Sequence, residues 1–341
     1  MMKKIFIFVL LLSVLGSLFL ACSTDVDLYA DYKDITVVYG LLDSGKDTNY
    51  IKINKAFLGP GDAFDIALID DSCNYPNKLD AKLIEYRANA TSNNYQQTRV
   101  LPLDTVTVHN KNLGIFYAPD QLVYYTKEKL NNNTNNHKYR YELVIDRGDT
   151  ILNAFTEMVG GSSFNVFLSQ MDFTTENGSI KWRECPNAVV YELVVKFRFT
   201  EVSPSNDSVQ RCMTWSLGTF PESSPSLTYE QNNYTAKYKA SLFFPNLAEF
   251  LGSDTTKNVE RLVFEPSLTL SIAAGGDELY NFISVNGPSS SIVQNVPEYT
   301  NVNGGYGVFS SRVLLEKNVK LSSNTFLELQ KRENWRFRQA R

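Results

Sequence analysis

Two histidines, His109 and His137, and four cysteines, Cys22, Cys73, Cys185 and Cys212, supply all the imidazoles and thiols of the 341 residues. Neither histidine has a second one three to five residues away, so the spacing that builds a zinc site is absent. Both stand in polar, Asn-bearing contexts and read as surface residues. No Gly-x-Ser-x-Gly elbow occurs, and no Gly-rich loop closing in Gly-Lys-Ser/Thr. Gly304-Gly305-Tyr306-Gly307 has the glycine content of a phosphate cradle, yet it precedes a strand, so no helix N-terminus faces an anion and a turn is the better reading. Asp25-Val26-Asp27, Asp70-Asp71 and Asp277-Glu278 cluster carboxylates as calcium prefers, but without loop-type spacing they read as solvated faces. No catalytic residue, metal site or cofactor is expected, and the chain reads as a non-enzyme.

Among the thiols, Cys22 is set apart by what precedes it. Lys3 and Lys4 begin a positive n-region, and Ile5 to Phe19 is an apolar stretch interrupted only by Ser13, Gly16 and Ser17, which is a signal-peptide pattern. The run is barely long enough to span a bilayer, and Ser23, Thr24, Asp25, Asp27, Asp31 and Asp34 follow it where a stop-transfer segment would be basic. Leu18-Phe19-Leu20-Ala21-Cys22 resembles a bacterial lipobox, in which a small residue precedes a cysteine that receives a diacylglyceryl group and becomes the mature N-terminus. The resemblance makes Cys22 the lipidation site, carrying palmitate-type chains worth about 0.8 kcal/mol per buried CH₂. The acidic residues after it resemble the export signal of Bacteroidota lipoproteins sent to the outer face of the outer membrane, which implies a lipid-anchored protein of the cell surface.

The three remaining cysteines cannot all pair within one molecule. Cys185 and Cys212 are the candidate disulfide of an oxidising compartment, although a hairpin centred near Pro204 sets Cys212 opposite Phe197 rather than Cys185. Cys73 reads as a lone thiol in a loop. Asp104-Thr105-Val106, Asp149-Thr150-Ile151, Asp207-Ser208-Val209 and Asp254-Thr255-Thr256 resemble the Asp-Ser/Thr-apolar acceptor of Bacteroidota O-glycosylation, which would modify Thr105, Thr150, Ser208 and Thr255.

The elements that must carry these residues are mostly strands. A content of 43% hydrophobic and 21% charged residues excludes a disordered chain and a membrane bundle, and a net charge of −4 leaves no electrostatic footprint for nucleic acid. Nineteen Tyr and twenty-one Phe favour strands. Ile35 to Leu42 and the alternating Tyr50 to Lys55 form a hairpin across Asp43-Ser44-Gly45-Lys46-Asp47. Ala81–Tyr86, Thr105–Val108, Gly114–Ala118, Tyr139–Asp146 and Thr150–Met158 continue the series, and Gly160-Gly161-Ser162-Ser163 marks a linker. Strands resume with Phe164–Leu168, Gly178–Trp182, Tyr191–Thr200, Val209–Leu217, Val259–Phe264 and Ser267–Ala273. Asn246–Leu251 reads as a short helix, Leu279-Tyr280-Asn281-Phe282-Ile283 leads into a Pro/Ser loop, and Asn301–Phe309 leads into a strand running past Arg312. Ser323 caps a last helix reaching about Trp335, and the tail from Lys331 to Arg341 is basic and helix-like.

The expected fold class is all-β, two tandem immunoglobulin/fibronectin III-like β-sandwich domains with a short C-terminal helix. Its divisions are a signal peptide at 1–21, an acidic tether at 22–34, an N-terminal β-sandwich at 35–159, a fibronectin III-like domain at 160–315, and a strand end, helix and basic tail at 316–341. Trp182, Ala188 and Tyr191 carry the resemblance to fibronectin type III, whose early strand bears a Trp and whose next strand bears a Tyr after a small-residue turn.

The whole layout resembles a family of Bacteroidota outer-membrane lipoproteins with a domain of unknown function, often found beside TonB-dependent receptors. The matching residues are Cys22, Val37-Val38-Tyr39-Gly40-Leu41, Glu278-Leu279-Tyr280-Asn281-Phe282 and Asn303-Gly304-Gly305-Tyr306-Gly307-Val308-Phe309. The resemblance implies a non-enzymatic surface lipoprotein that binds a nutrient or serves a TonB-dependent receptor; the alternative is a structural adhesin or fimbrial subunit. Expected partners are the membrane through the N-terminal lipid, a TonB-dependent receptor, and a glycan or peptide ligand. Aromatic residues suited to such a ligand are sought at Tyr124-Tyr125, Tyr299, Tyr306 and the Tyr229–Tyr238 segment.

Overall fold

A computed structural model describes residues 33–58, 62–109, 112–118, 120–252, 258–287 and 298–340. Cys22 and Thr255 lie outside them. The fold is all-β, built as sandwiches with a few short helices, one of them near the C-terminus.

The first half runs β1 (Lys33–Leu42), β2 (Asn49–Leu58), two short helices α1 (Ala63–Ala67) and α2 (Asp70–Cys73), then β3 (Asp80–Asn89), β4 (Gln96–Pro102), β5 (Asp104–Val108), β6 (Gln121–Thr126), β7 (His137–Asp146) and β8 (Ile151–Glu157). The second half contributes β9 (Gln170–Met171), β10 (Gly178–Arg183), β11 (Val190–Val202), β12 (Ser208–Pro221), β13 (Leu227–Glu230), β14 (Asn233–Tyr238) and helix α3 (Phe243–Leu251). After these come β15 (Glu260–Val263), β16 (Leu268–Gly275), helix α4 (Asp277–Asn286), β17 (Val302–Asn303), β18 (Tyr306–Leu321), helix α5 (Ser323–Lys331) and β19 (Phe337–Gln339).

Alternation along each strand sorts the side chains into two cores. In the first, Val38 and Leu42 of β1, Ile51 and Ile53 of β2, and Tyr124 of β6 face Leu83, Tyr141, Leu143 and Leu152 of the sheet β17-β8-β7-β3-β4. In the second, Tyr191, Val195, Phe197 and Ile272 of the β12-β11-β16-β18 region face Ile180, Trp182, Tyr234 and Ala236 of the sheet β10-β14-β13. Trp182 and Tyr191 are fully buried with ring centroids 5.1 Å apart, and Ala188 is buried beside them. The first core ends at Met158 and the second begins at Val159.

One strand belongs to both. Residues 306–311 of β18 pair parallel with β1 (Val37 opposite Tyr306, Gly40 opposite Phe309), and residues 312–319 pair antiparallel with β16. Phe309 and Val302 therefore complete the first core from the far end of the chain, and a single sheet of eleven strands crosses the molecule. Two glycines permit the junction. Gly307 holds φ +106, where an added Cβ would run into the Val38 carbonyl, and a Cβ on Gly40 would lie 2.9 Å from the Phe309 ring.

Local differences from the expected elements have physical causes. Gly114–Ala118 joins no sheet and bends instead of forming a strand, Tyr117 N donating to Ala67 O at 2.8 Å and Leu113 and Ile115 lying exposed. Tyr124 and Tyr125 lie inside β6 rather than in a loop. Leu279–Ile283 is helical. The last helix is capped by Ser322, whose hydroxyl accepts from Thr325 N at 3.1 Å, one residue before the expected cap. The basic tail is helical only as far as a 3-10 turn at Glu333–Trp335; Trp335 and Phe337 are buried, and Phe337–Gln339 pairs parallel with β15.

Candidate functional site

Strand alternation places Val38, Gly40 and Leu42 inward and turns Tyr39 and Leu41 to the outer face of the large sheet. On β2, Ile51 and Ile53 go inward and Tyr50 outward. Tyr39 stands opposite Lys52 in register, so Tyr39 and Tyr50 are diagonal neighbours on one face. Tyr50 is opposite Tyr125 of β6, their ring centroids 6.1 Å apart. Both Tyr39, at 48% exposure, and Tyr50, at 53%, stay about half open to solvent.

Helix α4 lies across this face. Gly276 caps it and Asp277 and Glu278 occupy its first turn, where acidic residues suit the helix dipole. It is tied down at that end: Glu278 Oε2 accepts from Thr156 Oγ1 at 3.1 Å and Ser310 Oγ at 3.0 Å, Leu279 N donates to Ser310 Oγ, and Gly276 N donates to Ser311 O. Burial pushes the Glu278 carboxyl above its usual range, and hydrogen bonds from Ser310 and Thr156 oppose this. Leu279, Phe282 and Ile283, at i, i+3 and i+4, form one helical stripe. Phe282 meets the Tyr39 ring edge to face, centroids 6.1 Å apart.

Between the helix and the Tyr39–Tyr50 strip lies a groove of about 620 Å³, within the size range of small-molecule sites. Its end is built by the β1–β2 turn. Asp43 N donates to Asn49 Oδ1 at 2.7 Å, and Gly45 N donates to Asp43 Oδ1 at 2.8 Å, so the turn is held by its own side chains. Asn49 is 3% exposed and its Nδ2 has no hydrogen-bond partner. Lys46 and Arg312 also line the groove, and neither makes an ion pair among the described residues. The lining thus offers two aromatic faces, an apolar helix stripe and three donors without acceptors.

The histidines, cysteines and hydroxyl acceptors singled out from sequence fall elsewhere, and the fold does not gather them. His109 is exposed and Nδ1 lies 2.7 Å from Asp120 Oδ1; His137 starts β7. Among the described residues no group of three or more His, Cys, Asp or Glu gathers to hold a metal ion. The expected Cys185–Cys212 bridge is not formed. Cys185 is buried beneath Tyr191, Cys212 is exposed on β12 opposite Arg198, and the strand register keeps them on different elements. Burial pushes the Cys185 thiol up. Cys73 is buried at the end of α2 rather than in an open loop, its Sγ donating to Ala67 O at 3.3 Å. Thr150 and Ser208 are exposed at strand ends, and Thr105 is half-buried within β5. Gly304 and Gly307, with φ +82 and +106, make the turn ahead of β18.

Of the aromatic residues sought, Tyr124 is buried with its hydroxyl accepting from Leu79 N, Tyr234 and Tyr238 are buried, and Tyr229 and Tyr306 are exposed away from the groove. None of them lines it: Tyr125 reaches it only through its ring contact with Tyr50, and Tyr299 is hydrogen-bonded to Asn281 of α4. Tyr39, Tyr50 and Phe282 were the residues to find, and their signal was present: outward positions of alternating strands and an i, i+3, i+4 stripe. No helix among the described residues is long and apolar enough to cross a membrane. No protein-family model matches the chain, and no curated protein matches it.

Proposed function

We propose that the chain is a non-enzymatic surface lipoprotein, held at the outer membrane by lipid on Cys22, that binds a nutrient in the α4 groove and serves a TonB-dependent receptor. The groove carries this reading. Exposed aromatic faces in a fixed frame, with polar groups converging at one end, are what a binding site needs. The frame is rigid because β1 is paired on both edges, by β2 and by β18, and α4 is bolted at Glu278. The C-terminal strand β19 is already paired with β15 of its own chain, which disfavours its use as a donor strand in a fimbrial polymer.

A glycan array probed with the detergent-solubilised chain tests the groove. Retention of a glycan, lost in Tyr39→Ala and in Phe282→Ala, is the expected result; retention unchanged in both variants refutes it. Metabolic labelling with an alkyne fatty acid tests the anchor: label on the parent chain and none on Cys22→Ser is expected, and an unlabelled parent overturns that part.

A further inference from the structure

Resting on the groove reading above, we infer that the ligand is an acidic saccharide, one whose sugar ring bears a carboxylate. Three observations converge on that class.

The first is the unpartnered donor. Asn49 is buried to within 3% of full enclosure, spends its oxygen on Asp43 N and leaves Nδ2 without an acceptor, in a residue that lines the groove. A buried donor left unsatisfied costs about 1–3 kcal/mol, and because Nδ2 is itself closed to solvent, an oxygen-rich ligand removes that cost as the β1–β2 turn opens to it.

The second is charge. Lys46 and Arg312 line the groove without ion pairs, while the one carboxylate in the lining, Asp43, is buried and accepts from Gly45 N in its own turn. The unmatched charge facing a ligand is positive. Arg312 presents a planar fork suited to a carboxylate.

The third is what the floor lacks. Tyr39 and Gly40 hydrogen-bond within the sheet on both edges, to β2 and to β18, and Leu41 pairs with β18. Tyr39 and Gly40 of β1 therefore offer no edge to a peptide backbone by strand addition, the mode that gives extended peptides their affinity, and on β18 Asn301 already takes Phe309 N and O. The floor offers ring faces instead, and Tyr39 and Tyr50 present the flat apolar surface on which the C–H face of a pyranose stacks. A sugar supplies the apolar face and the acceptors together; its carboxylate meets Arg312 and Lys46.

The experiment is calorimetric titration of the detergent-solubilised full chain with trisaccharides of galacturonate, glucuronate and mannuronate, with the matching neutral trisaccharides and with a tripeptide bearing a free carboxylate. At least one uronate is expected to bind about tenfold or more tighter than its neutral counterpart, with affinity falling as salt rises. Arg312→Gln is expected to erase that preference, and Tyr50→Ala to weaken acidic and neutral sugars alike. Both side chains are surface-lying, and circular dichroism verifies that each variant folds. If neutral sugars bind as well as uronates and Tyr50→Ala abolishes both, the groove stands and the acidic class falls. If no sugar binds, or the tripeptide binds in its place through Arg312, the inference is overturned, as it is when uronate affinity is unchanged in both variants.

Discussion

Removing the charge of Glu85 should unlock the first sandwich in a pH-dependent way. The Glu85 side chain, 1% exposed, points from β3 into the core and accepts from Arg99 Nε at 3.1 Å, Thr98 Oγ1 at 2.8 Å, Asn131 Nδ2 at 3.0 Å and Tyr141 Oη at 2.6 Å. Burial pushes its carboxyl up, but the hydrogen bonds from Arg99, Tyr141, Thr98 and Asn131 outweigh it, and the pKa falls from 4.5 to about 2. At about 1.4 kcal/mol per pH unit the depression corresponds to about 3 kcal/mol. Arg99 is 33% exposed, so solvent screening brings the figure to about 2 kcal/mol. Because the folded pKa lies below the unfolded one, this stability is fully present above pH 4.5 and is lost as pH falls through about 2. Glu85→Gln keeps the volume and removes the charge. Urea unfolding followed by far-ultraviolet circular dichroism should show the variant about 2 kcal/mol less stable at neutral pH, with most of the gap closed by about pH 3. A gap that stays constant between neutral and acid pH, or no gap at all, would refute the argument.

Two further outcomes follow from the packing. Phe309→Ala empties a fully buried site in the first core and should cost about 3–5 kcal/mol; since Trp182, Trp215 and Trp335 all sit in the second core, tryptophan emission should nevertheless unfold at the same lowered urea midpoint as circular dichroism, because β18 links the cores, and separate midpoints would show that it does not. Arg261 is fully buried, donating to Glu201 Oε1 at 3.0 Å and to Trp335 O at 2.8 Å. Arg261→Met should cost about 2 kcal/mol, since Glu201 loses its buried partner and keeps only Arg211 at 3.2 Å while Trp335 O loses a donor, and the double variant with Glu201→Leu should recover part of the loss, the coupling being read from a double-mutant cycle in urea.

How much of this was legible in the sequence depended on whether a residue's fate is set locally. Trp182, Ala188 and Tyr191 read correctly as one packed group, because their spacing is that of adjacent strands in a sandwich. Tyr50 to Lys55 alternates, and alternation alone turns Ile51 and Ile53 inward. The partner of β18 is a different matter: Val308 and Phe309 look like any strand, and nothing within Tyr306–Leu321 states that its first residues run parallel to β1 and its later ones antiparallel to β16. Gly114–Ala118 differs for the converse reason, since its apolar residues suit a strand but no strand runs beside them, and Tyr117 N bonds to Ala67 O of the short helix α1 instead. The groove was missed because it is a product of the same long-range register. Tyr39 and Phe282 are 243 positions apart and meet only when β18 brings α4 over β1.

That dependence bears on why position 49 holds an asparagine. The β1–β2 turn needs only an acceptor for Asp43 N, which a serine or threonine also supplies without leaving an amide donor behind, and an aspartate would place a second carboxylate beside Asp43. Asparagine meets the turn's requirement and leaves Nδ2 unpartnered. A turn built for stability alone would not retain that nitrogen at a cost of about 1–3 kcal/mol. Its place in the lining, with Lys46 on the same turn and Arg312 on the strand that joins the two sandwiches, sets all three residues on one groove, with Nδ2 just behind its wall. The β1–β18 pairing that completes the first core is therefore also what brings Arg312 to the groove that Asn49 lines.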